Sequence, residues 1–165
     1  RERQHRLEQW PRPVFELAFR WLRENLPPAS APAAVHVDFR TGNLLIDGNG
    51  VGAVLDWELA HAGDPMEDLG WLCVNSWRFG AIDKPVGGFG ERDELYESYE
   101  AAGGRAVSLD HARFWEILGT LRWGVICTMS GVALREGAVD GVERAMIARR
   151  ASETELDLLN LLEER

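Results

Sequence analysis

Asp38, Asn43 and Asp56 are the side chains whose types and spacing point to chemistry: Asn43 follows Asp38 by five positions, and Asp56 follows Asn43 by thirteen. A carboxylate such as Asp38 can orient a hydroxyl group and take its proton. An amide oxygen and a second carboxylate are hard oxygen donors of the kind Mg²⁺ accepts. That ion usually takes only one or two ligands from protein and the rest from phosphates and water. The two sets together meet the demands of phosphoryl transfer from ATP, where the protein mainly positions groups and neutralises charge.

These residues need elements that bring them together. Three short β-like runs, 34–37, 44–46 and 51–55, surround them. Asp47-Gly48-Asn49-Gly50 between the last two is a hairpin turn signal. A hairpin returns on itself, so Asn43 at its start and Asp56 at its end are expected side by side. Before it, residues 1–26 read as helical through Leu7, Trp10, Val14, Leu17, Ala18, Trp21 and Leu22, with Pro13 suited to the first turn. The proline-rich stretch 27–32 breaks that helix. After the hairpin, Asp64-Pro65-Met66-Glu67 has the form of a helix start, continuing to Trp77. A glycine-rich loop over 79–89, a short helix over 91–102, a helix from Ser108 or Asp110 through Met129, and a last helix over 137–164 complete the expected order.

The chain has 165 residues, 45% apolar and 27% charged, enough for one domain with a core. A net charge of −9 argues against a nucleic-acid partner, which would want a basic face. The longest apolar candidate, 123–133, is interrupted by Gly124, Ser130 and Gly131, so no membrane partner is expected. Cys73 and Cys127 form no CxxC pair and read as buried, reduced thiols of a cytoplasmic protein. The seven tryptophans, Trp57 and Trp71 among them, read mostly as core.

His36-x-Asp38-x4-Asn43 matches the spacing of a kinase catalytic loop. Alone, that spacing would arise by chance in roughly one chain of this length in a hundred. Its placement between β-like runs, with Asp56 at the hairpin's end and His61-Ala62-Gly63-Asp64-Pro65-Met66-Glu67-Asp68-Leu69 beyond, makes it far more specific. HVDFRTGNLLID followed by VLDWELAHAGDPMEDLGWL resembles the aminoglycoside phosphotransferase and choline kinase superfamily. The later GGFGERDELYESYEAAGG and FWEILGTLRWGVICTM resemble a branch with relatives linked to acyl-CoA dehydrogenases.

The resemblance implies an α+β fold, the C-terminal lobe of a protein-kinase-like architecture, with a short β-hairpin catalytic region and a mainly helical body. A leading helix and connector would cover 1–32, the catalytic loop and metal-binding hairpin 33–60, and the helical subdomain 61–165. It further implies Asp38 as the catalytic group, Asn43 and Asp56 as Mg²⁺ holders, and Asp68 as a hydrogen-bonding support of the loop. ATP would be co-substrate and a small-molecule hydroxyl compound the acceptor. The family's N-terminal nucleotide-gripping lobe is expected to be absent, and this chain alone is therefore expected not to turn over ATP at a useful rate. The surface it would cover, around 13–26, is expected to be apolar and suited to a homodimer.

Val37 stands where the superfamily usually has Gly, and is expected to be accommodated without strain because H-R-D loops carry a side chain there. His36 reads as a brace for the backbone, Asp64 as a helix cap, and Arg40 as a partner of a carboxylate or of phosphate, or as a surface arginine. Glu58 could support the metal or be an exposed charge. Two other readings stand beside the kinase: a non-catalytic kinase-like binding module, and a metal phosphoesterase using His36, Asp38, Asp56 and His61.

Overall fold

Two small antiparallel sheets carry the loop of interest in the computed structural model, which describes residues 12–163. Strands β2 (Leu44–Asp47) and β3 (Gly50–Val54) form the expected hairpin, pairing Leu44 with Val54 and Asp47 with Gly50. Asp47 accepts the Asn49 N–H at 2.7 Å, so its side chain closes the two-residue turn. A register shift between Leu45 and Ile46 accommodates one extra residue on β3. Strand β1 (Ala33–Val35) pairs with β4 (His61–Gly63), which was not foreseen, Ala33 opposite Gly63 and Val35 opposite His61. Three residues with no alternating pattern give a sequence little to show. The pair nonetheless sets residues 36–38 beside the start of the next helix.

Helix α1 (Pro13–Glu24) begins with its proline in the first turn. Leu7 and Trp10, assigned to the same helix from sequence, lie outside the described residues. Helix α2 (Met66–Cys73) stops before Trp77, and the chain continues as a short 3₁₀ turn over Asn75–Arg78. Helix α3 (Arg92–Ala101) opens with a reciprocal capping box between Glu91 and Glu94. Helix α4 (Leu109–Arg135) runs six residues beyond the expected Met129. The stretch read as one last helix is two, α5 (Val142–Arg149) and α6 (Ala151–Glu163). No proline or glycine marks the break at Arg150. Burial explains it: α5 buries no residue, whereas α6 turns Ala151, Thr154, Leu158 and Leu161 inward.

Helix α4 is the centre of the body. Phe114, Ile117 and Leu121 meet Phe15, Ala18 and Leu22 of α1 and Leu158 and Leu161 of α6 in one cluster. Each such side chain contributes about 1.5–3 kcal/mol when fully buried. By length and hydropathy α4 could cross a membrane, but it buries Glu116, Thr120 and Thr128 together with its apolar face, as a core helix does. Helix α2 lies against it so closely that a Cβ on Gly70 would stand 2.6 Å from the Glu116 nitrogen. Only glycine permits that approach.

α1 buries Phe15, Ala18 and Leu22 and leaves Leu17 and Phe19 partly exposed. The larger group of exposed apolar side chains is elsewhere, on the β2–β3 hairpin and its exit: Leu45, Ile46, Val51, Leu55, Trp57 and Leu59.

Candidate functional site

The loop from His36 to Asn43 is tied at almost every residue. The Asp68 carboxylate on α2 accepts the His36 and Val37 N–H groups, each at 2.7 Å. His36 is buried, its Nδ1 accepts the Asp38 N–H at 3.2 Å, and its Nε2 lies 2.7 Å from the Leu55 carbonyl. Since Nδ1 accepts, the ring carries its proton on Nε2 and donates it to Leu55. One imidazole thus joins the loop to the residue preceding Asp56.

Val37 has φ = 75°, in the left-handed region where a β-branched residue is an outlier. The expectation that it sits there without strain is overturned: the backbone has the conformation that glycine would adopt freely. The strain, about 1–2 kcal/mol, is held by the bidentate Asp68 carboxylate and by Arg122, whose Nη1 donates to the Val37 carbonyl at 3.2 Å.

Asp38 receives three donors. Arg40 Nε spans its two oxygens at 3.1 and 3.2 Å, Asn43 Nδ2 donates to Oδ2 at 2.7 Å, and Trp71 Nε1 donates to Oδ1 at 3.0 Å. Arg40 is seated with its guanidinium 5.1 Å from the Trp77 ring centroid. A Cβ at Gly42 would collide with Arg40 Nη1, so the glycine of this loop makes room for a side chain and does not supply a positive φ.

Asn43 is buried and spends Nδ2 on Asp38, both on its Oδ2 and on its carbonyl at 2.9 Å, which leaves the amide oxygen as the acceptor atom. Its own carbonyl accepts the Leu55 N–H at 2.8 Å, so the backbone places Asn43 one register step from Asp56. Asp56 is exposed, has φ = 67°, and makes no side-chain hydrogen bond or ion pair among the described residues. A non-glycine residue held in this conformation with an unengaged carboxylate is a common signature of a ligand-facing position. The donor set of one amide oxygen and one carboxylate suits Mg²⁺ and not a softer metal. Among the described residues no group of three or more His, Cys, Asp or Glu could hold a metal. His61 lies 3.5 Å from Glu67, on the strand paired to β1. The ligand set of a two-metal phosphoesterase is therefore not gathered.

Glu58 is exposed in a 3₁₀ turn just after Asp56. Asp64 caps α2 through the Met66 N–H at 3.0 Å and also binds His111 at 2.8 Å and Ser30 at 2.9 Å. Trp57, expected in the core, is half exposed, its ring 4.6 Å from that of His36. Trp71 is buried as expected, but its N–H on Asp38 is a contact the sequence reading missed. Arg122 and Glu67 were missed as well. Arg122 lies 4.8 Å from the Trp71 ring centroid and 3.9 Å from Glu67. Burial pushes the Glu67 carboxyl above its ordinary range, while His61 and Arg122 pull it back. No short motif marks a contact between α2 and α4, about a third of the chain apart.

A second polar cluster lies in the helical body. Buried Glu116 binds Arg92 at 2.6 and 3.1 Å and Arg78 at 3.4 Å. A cleft of ≈ 540 Å³ beside it is lined in part by Asn75, Asp157 and Thr120.

The profile of the phosphotransferase enzyme family matches residues 1–105. The fold is that of a Ralstonia eutropha protein named for aminoglycoside phosphotransferase, with a TM-score of 0.76 and 24% identity, covering 97% of this chain and 52% of that one. It is also similar to a thermostable mutant of aminoglycoside phosphotransferase APH(4)-Ia, solved in ternary complex with AMP-PNP and hygromycin B (TM-score 0.56, 16% identity, 97% and 48% covered). Acyl-CoA dehydrogenase family member 10 of Mus musculus is 41% identical over 64 residues, 38% of this chain and 6% of that protein. Acyl-CoA dehydrogenase family member 11 of Gallus gallus is 46% identical over 62 residues, 36% and 8%. The chain thus spans about half the length of these solved structures and its matches cover under a tenth of the curated relatives.

Proposed function

Since this chain belongs to the phosphotransferase enzyme family, we propose that Asp38, Asn43 and Asp56 serve ATP-dependent phosphoryl transfer to a hydroxyl group of a small molecule. The observation that carries the reading is the pairing of an over-tied carboxylate with an unengaged one. Asp38 is held by donors from its own loop and from α2, while Asp56, one register step from Asn43, has an open carboxylate on a strained backbone.

The roles follow from the geometry. Asp38 orients the acceptor hydroxyl and takes its proton, and the fixed carboxylate means little reorganisation as the hydroxyl reacts. Asn43 turns its amide hydrogens to Asp38 and so presents its oxygen for metal, coupling the two halves of the site. Asn43 and Asp56 would hold Mg²⁺, which when bound with ATP neutralises charge on the phosphates. Arg40, engaged with Asp38 and 28% exposed, is near enough to the protein surface to turn toward a phosphate oxygen. Exposed apolar side chains of the hairpin, Leu45 among them, offer a surface for the nucleotide base. Support for nucleotide use comes from the AMP-PNP complex of the related fold.

The test is ADP release from Mg²⁺-ATP by the protein that carries these residues, with hydroxyl-bearing small molecules supplied as acceptors. Asp38→Asn is expected to lower kcat by about 10²–10⁴-fold with binding of AMP-PNP unchanged. An Asp38→Asn protein that turns over like the unmutated one would overturn the reading.

A further inference from the structure

Of the three donors on Asp38, two come from its own loop: Arg40 two residues on and Asn43 five residues on. The third, Trp71, comes from α2, 33 positions away. Arg40 sits at the protein's edge, whereas Trp71 is 4% exposed. Its indole is a single donor on a rigid ring that can neither accept a proton nor swing away. The ring is held on two sides, by Trp77 with centroids 5.2 Å apart and by the Arg122 guanidinium at 4.8 Å. Arg122 also donates to the Val37 carbonyl at 3.2 Å. One α4 arginine therefore touches both the strained peptide before Asp38 and the indole that holds Asp38 from behind.

We propose that Trp71 is a positioning residue for Asp38, aligned by Arg122. This rests on the reading of Asp38 as the group that orients the acceptor hydroxyl. Each carboxylate oxygen offers two hydrogen-bonding directions. Trp71 fills one on Oδ1 and Asn43 fills one on Oδ2, and Arg40 spans what remains. When Arg40 turns to phosphate, the two fixed donors leave the outer edge of the carboxylate open and correctly aimed. Without Trp71 only Asn43 still fixes the carboxylate, which can then pivot about that one bond, and misaligned reacting groups lose rate steeply.

Trp123 supplies the control. It belongs to the same aromatic cluster, its ring 4.8 Å from that of Trp77, and its buried indole N–H has no hydrogen-bond partner among the described residues. Trp71→Phe and Trp123→Phe remove similar volume, but only the first removes a donor to Asp38.

The experiment measures ADP release from Mg²⁺-ATP, with and without added hydroxyl compounds, for both variants and for each in an Asp38→Asn background. Trp71→Phe is expected to lower kcat about ten- to hundredfold, the worth of one charge-assisted hydrogen bond. The KM for ATP should stay within about twofold, since the bond acts on the acceptor side. Trp123→Phe should leave kcat within about twofold even if its Tm falls as far. In the Asp38→Asn background Trp71→Phe should add little, because the two act as one unit. A readout free of turnover is the ¹⁵N–¹H spectrum of the indoles. Asp38→Ala should move the Trp71 signal and speed its exchange while leaving Trp123 in place. Equal kcat in the two Phe variants, with Asp38→Asn crippled, overturns this inference alone. A fully active Asp38→Asn, or no turnover by an unmutated protein that carries these residues together with a nucleotide-binding lobe, overturns the proposed function and this role together.

Discussion

Asp38 and Glu116 are both carboxylates that bind arginine, and they sit in opposite kinds of surroundings. Glu116 is 3% exposed on a straight helix and holds Arg92 and Arg78, which come from α3 and the 3₁₀ turn after α2. Asp38 is partly open, on a loop whose preceding residue is strained. The groups with the largest titration shifts lie around Glu116. Burial, and then the field of Glu116, push the Cys73 thiol up to about 12. Burial also pushes the Tyr96 hydroxyl up. Burial works against the Arg92 charge, but its hydrogen bonds to Glu116 more than offset that and hold it up. Perturbed groups are often taken as a pointer to function. Here they mark a structural ion cluster that ties three elements together, while the candidate site is marked by strain and by an unengaged carboxylate.

Glu116→Ala would leave two partly buried guanidinium groups without their buried anion, a loss of about 3 kcal/mol, read as a fall in Tm of about 10 °C. The fraction that remains folded should keep its kcat. A Glu116→Ala protein of normal Tm would show that the cluster is not structural. Next is Asp68→Ala, which strips two N–H groups of a charged acceptor. About 3 kcal/mol of stability should go, and unlike Glu116→Ala the variant should also lose kcat in its folded fraction.

A smaller effect sharpens the contrast between strained and ordinary backbone. Val35 and Val37 are both buried, but Val35 lies in the regular strand β1. Val35→Gly should cost about 3 kcal/mol from lost burial and gained chain freedom. At Val37 the relief of a left-handed valine returns about 1–2 kcal/mol, so Val37→Gly should cost about 1. Chemical denaturation of the pair measures the difference, and equal losses would mean that Val37 is not strained.

The smallest effect is at Asp157, whose carboxyl burial pushes above the usual range although Asn75 and Arg78 pull it back. The folded chain therefore binds a proton there more readily than the unfolded chain does. The charged form destabilises at neutral pH, and that penalty fades as pH falls into the raised range. Asp157→Asn should raise Tm by about 2 °C at neutral pH and lose this advantage on acidification.

Much of the site was legible because it is local. A spacing of five residues and a hairpin with Asp-Gly-Asn-Gly at its tip are enough to set Asn43 beside the residues that lead to Asp56. The Asp64-Pro65 start placed α2 and hence Asp68. What escaped is what depends on packing. Trp71 reads as core because it is core, and only the tertiary approach of α2 to α4, allowed by Gly70, brings its indole to Asp38 and Arg122 to both. The positive φ of Val37 escaped for a different reason: its residue type argues against the conformation, and the carboxylate of Asp68 that enforces it is 31 positions away. The break at Arg150 carries no local breaker and follows from which side of α6 faces the core.

The most direct test of the division of labour between Asp38 and Asp56 is the Mg²⁺ dependence of kcat for Asp38→Asn and Asp56→Asn, measured side by side at saturating ATP. Asp38→Asn should lower kcat at every Mg²⁺ concentration with the half-saturating concentration unchanged. Asp56→Asn should instead need at least about tenfold more Mg²⁺ and recover part of its kcat as Mg²⁺ rises, since it would weaken one of the two proposed protein ligands. If added Mg²⁺ rescues Asp38→Asn as readily as Asp56→Asn, the assignment of hydroxyl-orienting base and metal holder is wrong.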